Sequence, residues 1–202
     1  MKKALVFISD CSEEIEAITP LDYLRRAGVQ ADLCAAGKWK ACEDTSLVEC
    51  SHKLKILADF DIEAFFDQGG ALLSDKILSY DALVIPGGMP GSKYFADDER
   101  LLSLIRLFAE NGKLVTAICA APALVLSKAG VLAATKWTCY PGMEKEAPDF
   151  AKTHLEGVPF VHDKNLITGR GPGAAEEFSM EIVKTLCGED VAARIKAGSV
   201  QR

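Results

Sequence analysis

The sequence predicts an α/β fold, a mainly parallel sheet covered by helices on both faces. Strand-length apolar segments recur at residues 4–8, 29–35, 81–86 and 113–118, the pattern of strands buried on both sides rather than on one. Segments with helical periodicity fall between them, and strands alternating with helices at this spacing form βαβ units. A chain of 202 residues without repeats, low-complexity stretches or a linker is expected to form one domain spanning residues 1–202.

Residues 4–8 follow two lysines, like the start of a signal peptide, but the apolar stretch is only five residues long before Ser9-Asp10 and lacks a cleavage-type continuation. It is expected to be a buried first strand. In the helix that follows, Leu21, Leu24 and Ala27 share a face and Gly28 is the stop. Thr19-Pro20 can serve as cap and first helical position, so the residues leave open whether this helix starts near Glu13 or near Pro20. The choice decides where Glu16 points. After the second strand, residues 37–58 alternate polar and apolar side chains around 47–50 and 54–57, predicting a short antiparallel hairpin. Residues 59–76 are expected to be helical with a break at Gly69-Gly70. The strand at 81–86 runs directly into Gly87-Gly88. Residues 97–111 form an amphipathic pattern with Leu101, Leu104, Ile105 and Phe108 on the inner face. The chain then enters the strand that ends at Cys119, followed by a helix-like stretch at 120–129. A strand-like piece around 137–140, a last strand at 166–168, a turn at Gly171-Pro172-Gly173, and helices at 174–186 and 189–196 complete the expected elements.

Composition narrows the function. The chain is 49% hydrophobic and 26% charged, and no apolar run reaches the length needed to span a bilayer; no membrane partner is expected. A net charge of −6 argues against nucleic acid, which requires clustered Lys and Arg. Seven cysteines, an odd number with no C-x-x-C pair, suit a reducing cytoplasm. His52, His154 and His162 lie in no H-x-x-H or H-x-x-x-H spacing, so no structural zinc, metal or cofactor is expected. The phosphate-cradling G-x-x-x-x-G-K-[ST] loop is absent from the sequence.

Open parallel sheets bind ligands outside the carboxyl ends of their strands. Three loops fall on that edge, after Ile8, Ile85 and Ile118, carrying the acidic cluster Glu13-Glu14-Ile15-Glu16, the pair Gly87-Gly88, and Cys119. A free cysteine is most often a small buried hydrophobe. On a sharp strand-to-helix turn, however, a thiol faces the first N–H groups of the next helix, which favour thiolate. Glycines at 87 and 88 serve turn geometry in the simplest reading; without Cβ they also bring backbone N–H groups close to a substrate oxygen, and with the Ala120 N–H they could stabilise an oxyanion. Glu13 and Glu14 are read as favourable charge at a helix N-terminus. Glu16, if it faces the sulfur, is expected to keep its proton and donate a hydrogen bond, because two adjacent anions repel.

These residues resemble a known family. The segments Glu13-Glu-Ile-Glu-Ala-Ile-Thr-Pro20 with Arg25-Arg-Ala-Gly28, Ile85-Pro-Gly-Gly-Met-Pro-Gly91, Ala117-Ile-Cys-Ala-Ala-Pro122 and Gly169-Arg-Gly-Pro-Gly173 strongly resemble the ThiJ/PfpI superfamily, in the branch of the parkinsonism-linked deglycase and the bacterial YajL-type stress proteins. The resemblance runs from residue 3 to about 198, with residues 58–80 longer than usual. It implies a flavodoxin-like three-layer sandwich, a homodimer, Cys119 at a nucleophile elbow and Glu16 as its protonated partner. It further implies oxyanion or substrate binding by Gly87, Gly88 and Ala120, and a pocket loop carrying Arg170. Glyoxalase or deglycase activity toward α-oxoaldehydes and glycated thiols or amines follows as an expectation, of lyase or hydrolase type and without cofactor. The alternative is a redox sensor or stress chaperone working through Cys119 oxidation.

Two departures bear on activity. Thr138-Cys139-Tyr140-Pro141 stands where that family carries a T-H-P-like segment, placing Tyr140 at the family's histidine; a phenol is a poor base at neutral pH. Ala121 replaces a small glycine. Ala120 after the sulfur, where related peptidases carry histidine, puts peptidase and amidotransferase readings below the deglycase-like one. Cys50 lies in a segment resembling the family's dimer interface, with a half-buried strand residue as the plainer reading; Cys11, Cys34, Cys42, Cys139 and Cys187 suggest no role.

Overall fold

The computed structural model describes residues 1–37 and 46–201. Its strands are β1 (Lys3–Ile8), β2 (Gln30–Ala35), β3 (Leu47–Glu49), β4 (Lys55–Leu57), β5 (Phe60–Asp61), β6 (Ala82–Ile85), β7 (Leu114–Ile118), β8 (Phe160–Asp163) and β9 (Leu166–Gly169). Seven of them make one sheet in the order β5-β2-β1-β6-β7-β9-β8, and β3 pairs with β4 in the expected hairpin. Every neighbouring pair in the sheet is parallel except β8 with β9. Strand direction of growth reverses between β1 and β6, giving the 2-1-3-4-5 order of flavodoxin-like sheets, whose ligand crevice opens at that switch point.

Burial explains why these segments are strands. Along β1, Leu5 and Phe7 enter one apolar cluster, while Ala4, Val6 and Ile8 enter another on the opposite face. The alternation has the period of a pleated strand with both faces covered. Helix α1 (Glu14–Arg26) packs against α6 (Ala175–Cys187), which also carries α7 (Glu189–Gly198), on one side. The other side holds α3 (Gly91–Ala96), α4 (Glu99–Glu110) and the segment after Cys119. Among the described residues, no helix is long and apolar enough to cross a membrane.

On α4, Leu101, Leu104, Ile105 and Phe108 are fully buried, as their spacing predicts. Phe108→Ala is expected to cost about 3–5 kcal/mol of stability by removing a ring the core cannot replace, read as a lower denaturant midpoint with an unchanged slope.

Three expectations need correction. Residues 59–76 are not a broken helix: Phe60 and Asp61 join the sheet beside β2 as β5. A 3-10 turn, Ile62–Phe65, and the short α2 (Ser74–Ile77) then follow. Between them the Asp67 side chain accepts the N–H groups of Gly69 and Ala71, closing a loop that competes with helix. Residues 137–140 form no strand; Trp137 makes one isolated bridge to His154. The antiparallel edge strand β8 lies outside every expected element. After Cys119 the chain takes a wide π-type turn, Pro122–Leu126, before α5 (Ser127–Ala129), which Gly130 ends with φ +77°. The open question at α1 is answered: the helix begins at Glu14 and carries Pro20 inside. Cys42 lies outside the described residues.

Candidate active site

Cys119 ends β7 with φ +65°, left-handed backbone that a non-glycine residue adopts at a cost of about 1–3 kcal/mol unless its surroundings impose it. Here they do. Its N–H donates to the Gly169 carbonyl (2.9 Å) and its carbonyl accepts the Tyr140 N–H (2.8 Å). The turn that the sequence marks as an elbow is therefore held by hydrogen bonds on both sides, and it aims Sγ at the backbone N–H groups of Gly88 and Ala120, which donate to the sulfur.

Because α1 starts at Glu14, Glu16 lies in its first turn and points inward. Its side chain is fully buried. Oε2 accepts the Gly87 N–H at 2.9 Å, Oε1 is buried without a hydrogen-bond partner of ordinary geometry, and the carboxyl meets the Cys119 side chain. Burial pushes its pKa up to about 8, with the Gly87 N–H and Cys119 pulling it back and Glu13 adding a smaller upward push. A carboxyl so placed is mainly protonated at neutral pH, and the orphaned oxygen has a proton to offer.

The expectation of an accessible thiolate is corrected. Cys119 is only 9% exposed. Burial, then the nearby Glu16 charge, pushes its pKa up to about 12, against the pull of the Gly88 and Ala120 N–H groups. Two amides do not offset the loss of solvent around a sulfur anion, and the turn that follows is not a regular α-helix. The resting pair is a thiol beside a carboxylic acid.

The glycines make this contact possible. A Cβ on Gly87 would lie 2.6 Å from the Cys119 Cβ, 2.7 Å from Glu16 Oε2 and 3.0 Å from Sγ. Gly88, at φ +92°, would drive a Cβ to 2.4 Å from the Cys11 carbonyl oxygen and the Glu13 nitrogen. Gly87 thus differs from its expected part: its N–H is taken by Glu16 rather than free for an oxyanion. Glu16, Gly87, Gly88, Cys119 and Ala120 converge at the switch point.

Tyr140 and Arg170 stand apart from that cluster. The Tyr140 side chain is 49% exposed and lies over Gly171, where a Cβ would come within 3.2 Å of its ring. Arg170 is exposed and its N–H donates to the Pro159 carbonyl. Both line a cleft of about 600 Å³ with Pro141, Gly157 and Glu177. Cys119 does not line this cleft; the backbone hydrogen bond from Tyr140 to Cys119 joins its wall to the elbow.

Several contacts had no signal in the sequence. Glu14 is more than charge at a helix start: it is 7% exposed and accepts both the His52 backbone N–H (3.0 Å) and a contact from its ring Nδ1 (3.1 Å), tying the hairpin to α1. That contact, with Glu13 adding its charge, raises the His52 pKa. Cys11 adopts φ +62°, and its carbonyl accepts the Ser51 hydroxyl. Cys50, just past β3, is buried rather than half-buried. Cys139 lies 3.7 Å from His154 Nε2.

A flavodoxin-like sheet with a strained cysteine at the end of a central strand, covered by a buried carboxyl from the first turn of α1, defines an α/β protein of the nucleophile-elbow class. Within that class the chain belongs to the DJ-1/PfpI family, whose model matches residues 2–185. It is 34% identical to the Drosophila melanogaster protein dj-1beta over 197 residues, covering 98% of this chain and 96% of that one. It is 30% identical to the Caenorhabditis elegans glutathione-independent glyoxalase DJR-1.2, with 94% and 91% covered. Against the Arabidopsis thaliana DJ-1 homolog B it is 37% identical over 92% of this chain but spans only 38% of that longer protein. The solved structure of oxidized Toxoplasma gondii DJ-1 superposes with a TM-score of 0.84 at 32% identity, covering 99% of this chain and 98% of that one.

Proposed function

We propose that the protein converts α-oxoaldehydes to 2-hydroxy acids without a cofactor, and does the same for their hemithioacetal and hemiaminal adducts once these release the aldehyde and the free thiol or amine. The observation that carries this is the buried Glu16 carboxyl, neutral at rest, against a thiol whose sulfur two backbone N–H groups already meet. The family relationship and the glyoxalase relative support the same reading.

A thiol with so high a pKa does not attack as a free thiolate. Glu16 relieves this by giving its proton to the aldehyde oxygen as sulfur bonds to carbon, while the thiol proton passes to the carboxylate. The product is a hemithioacetal, with no net charge created in a dry site. The Gly88 and Ala120 N–H groups, fixed beside the sulfur, steady the partial negative charge on the aldehyde oxygen until the proton arrives. Glu16 in its ionised form, readily reached from a pKa of about 8, then moves the aldehyde proton to the neighbouring carbon through an enediol. The resulting thioester is hydrolysed by water, which restores the thiol. Methylglyoxal plus water gives lactate, and no outside oxidant or reductant is consumed. Tyr140 replaces a better base and serves as a hydrogen-bond donor in the cleft, with Arg170 beside it; a modest rate is expected. The expected homodimer fits Ile15 and Ile18, which α1 leaves exposed.

Lactate release from methylglyoxal, followed enzymatically, tests the reading, and absence of turnover across a panel of α-oxoaldehydes overturns it. Gly87→Ala is expected to lower that turnover about 100-fold by prising Cys119 from Glu16, the cost of roughly an ångström of misplacement; an unchanged rate would mean the close contact is not used.

Convergence of the Gly88 and Ala120 N–H groups on sulfur also supports a second reading, oxidation to sulfinate as a stress signal, since the same donors would hold its oxygens. Mild peroxide should then add two oxygens to Cys119 ahead of the other six thiols in mass spectra. Even modification across all seven counts against it.

A further inference from the structure

Outside this site, the loop that replaces the expected strand at 137–140 brings a buried thiol, an imidazole and a carboxylate together. The donor atoms of Cys139, Glu144 and His154 all lie within 4.8 Å of one another. Zinc held by sulfur at about 2.3 Å and by imidazole nitrogen at about 2.0 Å in tetrahedral geometry keeps those donors about 3.6 Å apart. Cys139 Sγ and His154 Nε2 are already 3.7 Å apart. The Glu144 carboxylate lies within 4.8 Å of both, near enough to complete the set by a side-chain rotation.

The surroundings hold these donors in place. Trp137 N–H donates to the Thr153 carbonyl and Leu155 N–H to the Trp137 carbonyl, clamping the two segments that carry Cys139 and His154. The Trp137 ring lies against the imidazole, with centroids 4.8 Å apart. Met143 N–H donates to the Tyr140 carbonyl, turning the chain so that Glu144 comes back over Cys139. Gly142 N–H then holds one Glu144 oxygen at 2.7 Å. Supporting contacts of this kind orient metal ligands. Among the described residues Glu144 forms no ion pair with Lys, Arg or His.

We infer that Cys139, His154 and Glu144 bind one divalent cation of the zinc class, with water in the fourth position. The chemistry of the set favours this over a second nucleophile. Cys139 is 3% exposed, too enclosed for an organic substrate, whereas His154 and Glu144 are half-buried and open a path for an ion. A cation held among them neutralises the thiolate and the carboxylate together. On binding, Cys139 releases one proton to solvent, His154 coordinates as neutral imidazole, and the zinc charge is balanced by thiolate and carboxylate. Binding also fixes the turn that includes Tyr140, one wall of the cleft.

The test uses the full chain, stripped with a chelator and titrated with Co²⁺ and then Zn²⁺. One equivalent of Co²⁺ should give a tetrahedral spectrum with a sulfur-to-cobalt charge-transfer band. Cys139→Ser should abolish the band and weaken Zn²⁺ binding by about 100-fold or more, while Cys119→Ser keeps both. Glu144→Gln and His154→Gln, with the thermal midpoints of the metal-free proteins as the check on folding, should each weaken Zn²⁺ at least about 10-fold. A band that survives Cys139→Ser and disappears in Cys119→Ser overturns the assignment. So does equal Zn²⁺ affinity in all variants, or no stoichiometric binding by the unsubstituted chain.

Discussion

Replacing Cys119 by serine eliminates lactate formation from methylglyoxal, a fall of at least about 10³-fold in kcat/KM, because a hydroxyl in the same pocket is far less nucleophilic and forms no comparable acyl intermediate. Glu16→Gln lowers it by about 10²–10⁴-fold, the range for removing a group that both donates and accepts a proton. The two losses should not add: once sulfur cannot attack, the acid has nothing to protonate, so the double variant should match Cys119→Ser alone. Steady-state assays on the three proteins check this. Wild-type rates in either single variant remove the mechanism, and losses that add in the double variant mean that the two residues act independently.

Glu16→Gln also raises stability, and by an amount that depends on pH. The folded pKa of Glu16 is about 8, against 4.5 ordinarily. A folded-state pKa raised in this way contributes stability that is fully present below pH 4.5 and is lost as pH rises through 8, since the unfolded chain gives up its proton first. At about 1.4 kcal/mol per unit, the loss across that window is on the order of 4 kcal/mol. Glutamine stays neutral throughout and keeps an oxygen for the Gly87 N–H, so it escapes the loss. Denaturant midpoints at pH 5 and pH 8.5 should show the variant gaining on the unsubstituted protein as pH rises. A difference that shrinks or reverses sign would mean Glu16 is ionised in the fold. Activity and stability thus move oppositely at this residue, the pattern of a functional group kept at a cost to the fold.

Strands β1, β6 and β7 and helix α4 are legible in the sequence because each is a local pattern: a short apolar run, or Leu101, Leu104, Ile105 and Phe108 on one helical face. The elbow at Cys119 and the glycine pair are legible for a related reason, since each sits at the end of a recognisable strand; the direction of Glu16 is open in the sequence until the helix start at Glu14 fixes it. What escaped leaves no periodic trace: Asp67 closing its own loop and β8 turning straight back on β9 are short irregular contacts, and Glu14 reaching His52 joins segments distant in sequence. Cys139, Glu144 and His154 are spaced too irregularly to read as a ligand set, and only the clamp between residues 137 and 155 brings them together. Sequence shows the amides that favour a Cys119 thiolate but not the depth of burial that pushes its pKa up.

Infrared difference spectra between the unsubstituted protein and Glu16→Gln, recorded from pH 5 to pH 10, report the Glu16 proton itself. A protonated carboxyl stretch should be present at pH 6, absent from the variant, and should fade with a midpoint near pH 8. A Glu16 carboxylate signal already complete at pH 6 would contradict the pairing of a neutral acid with the Cys119 thiol, and with it the proton relay on which the proposed chemistry rests.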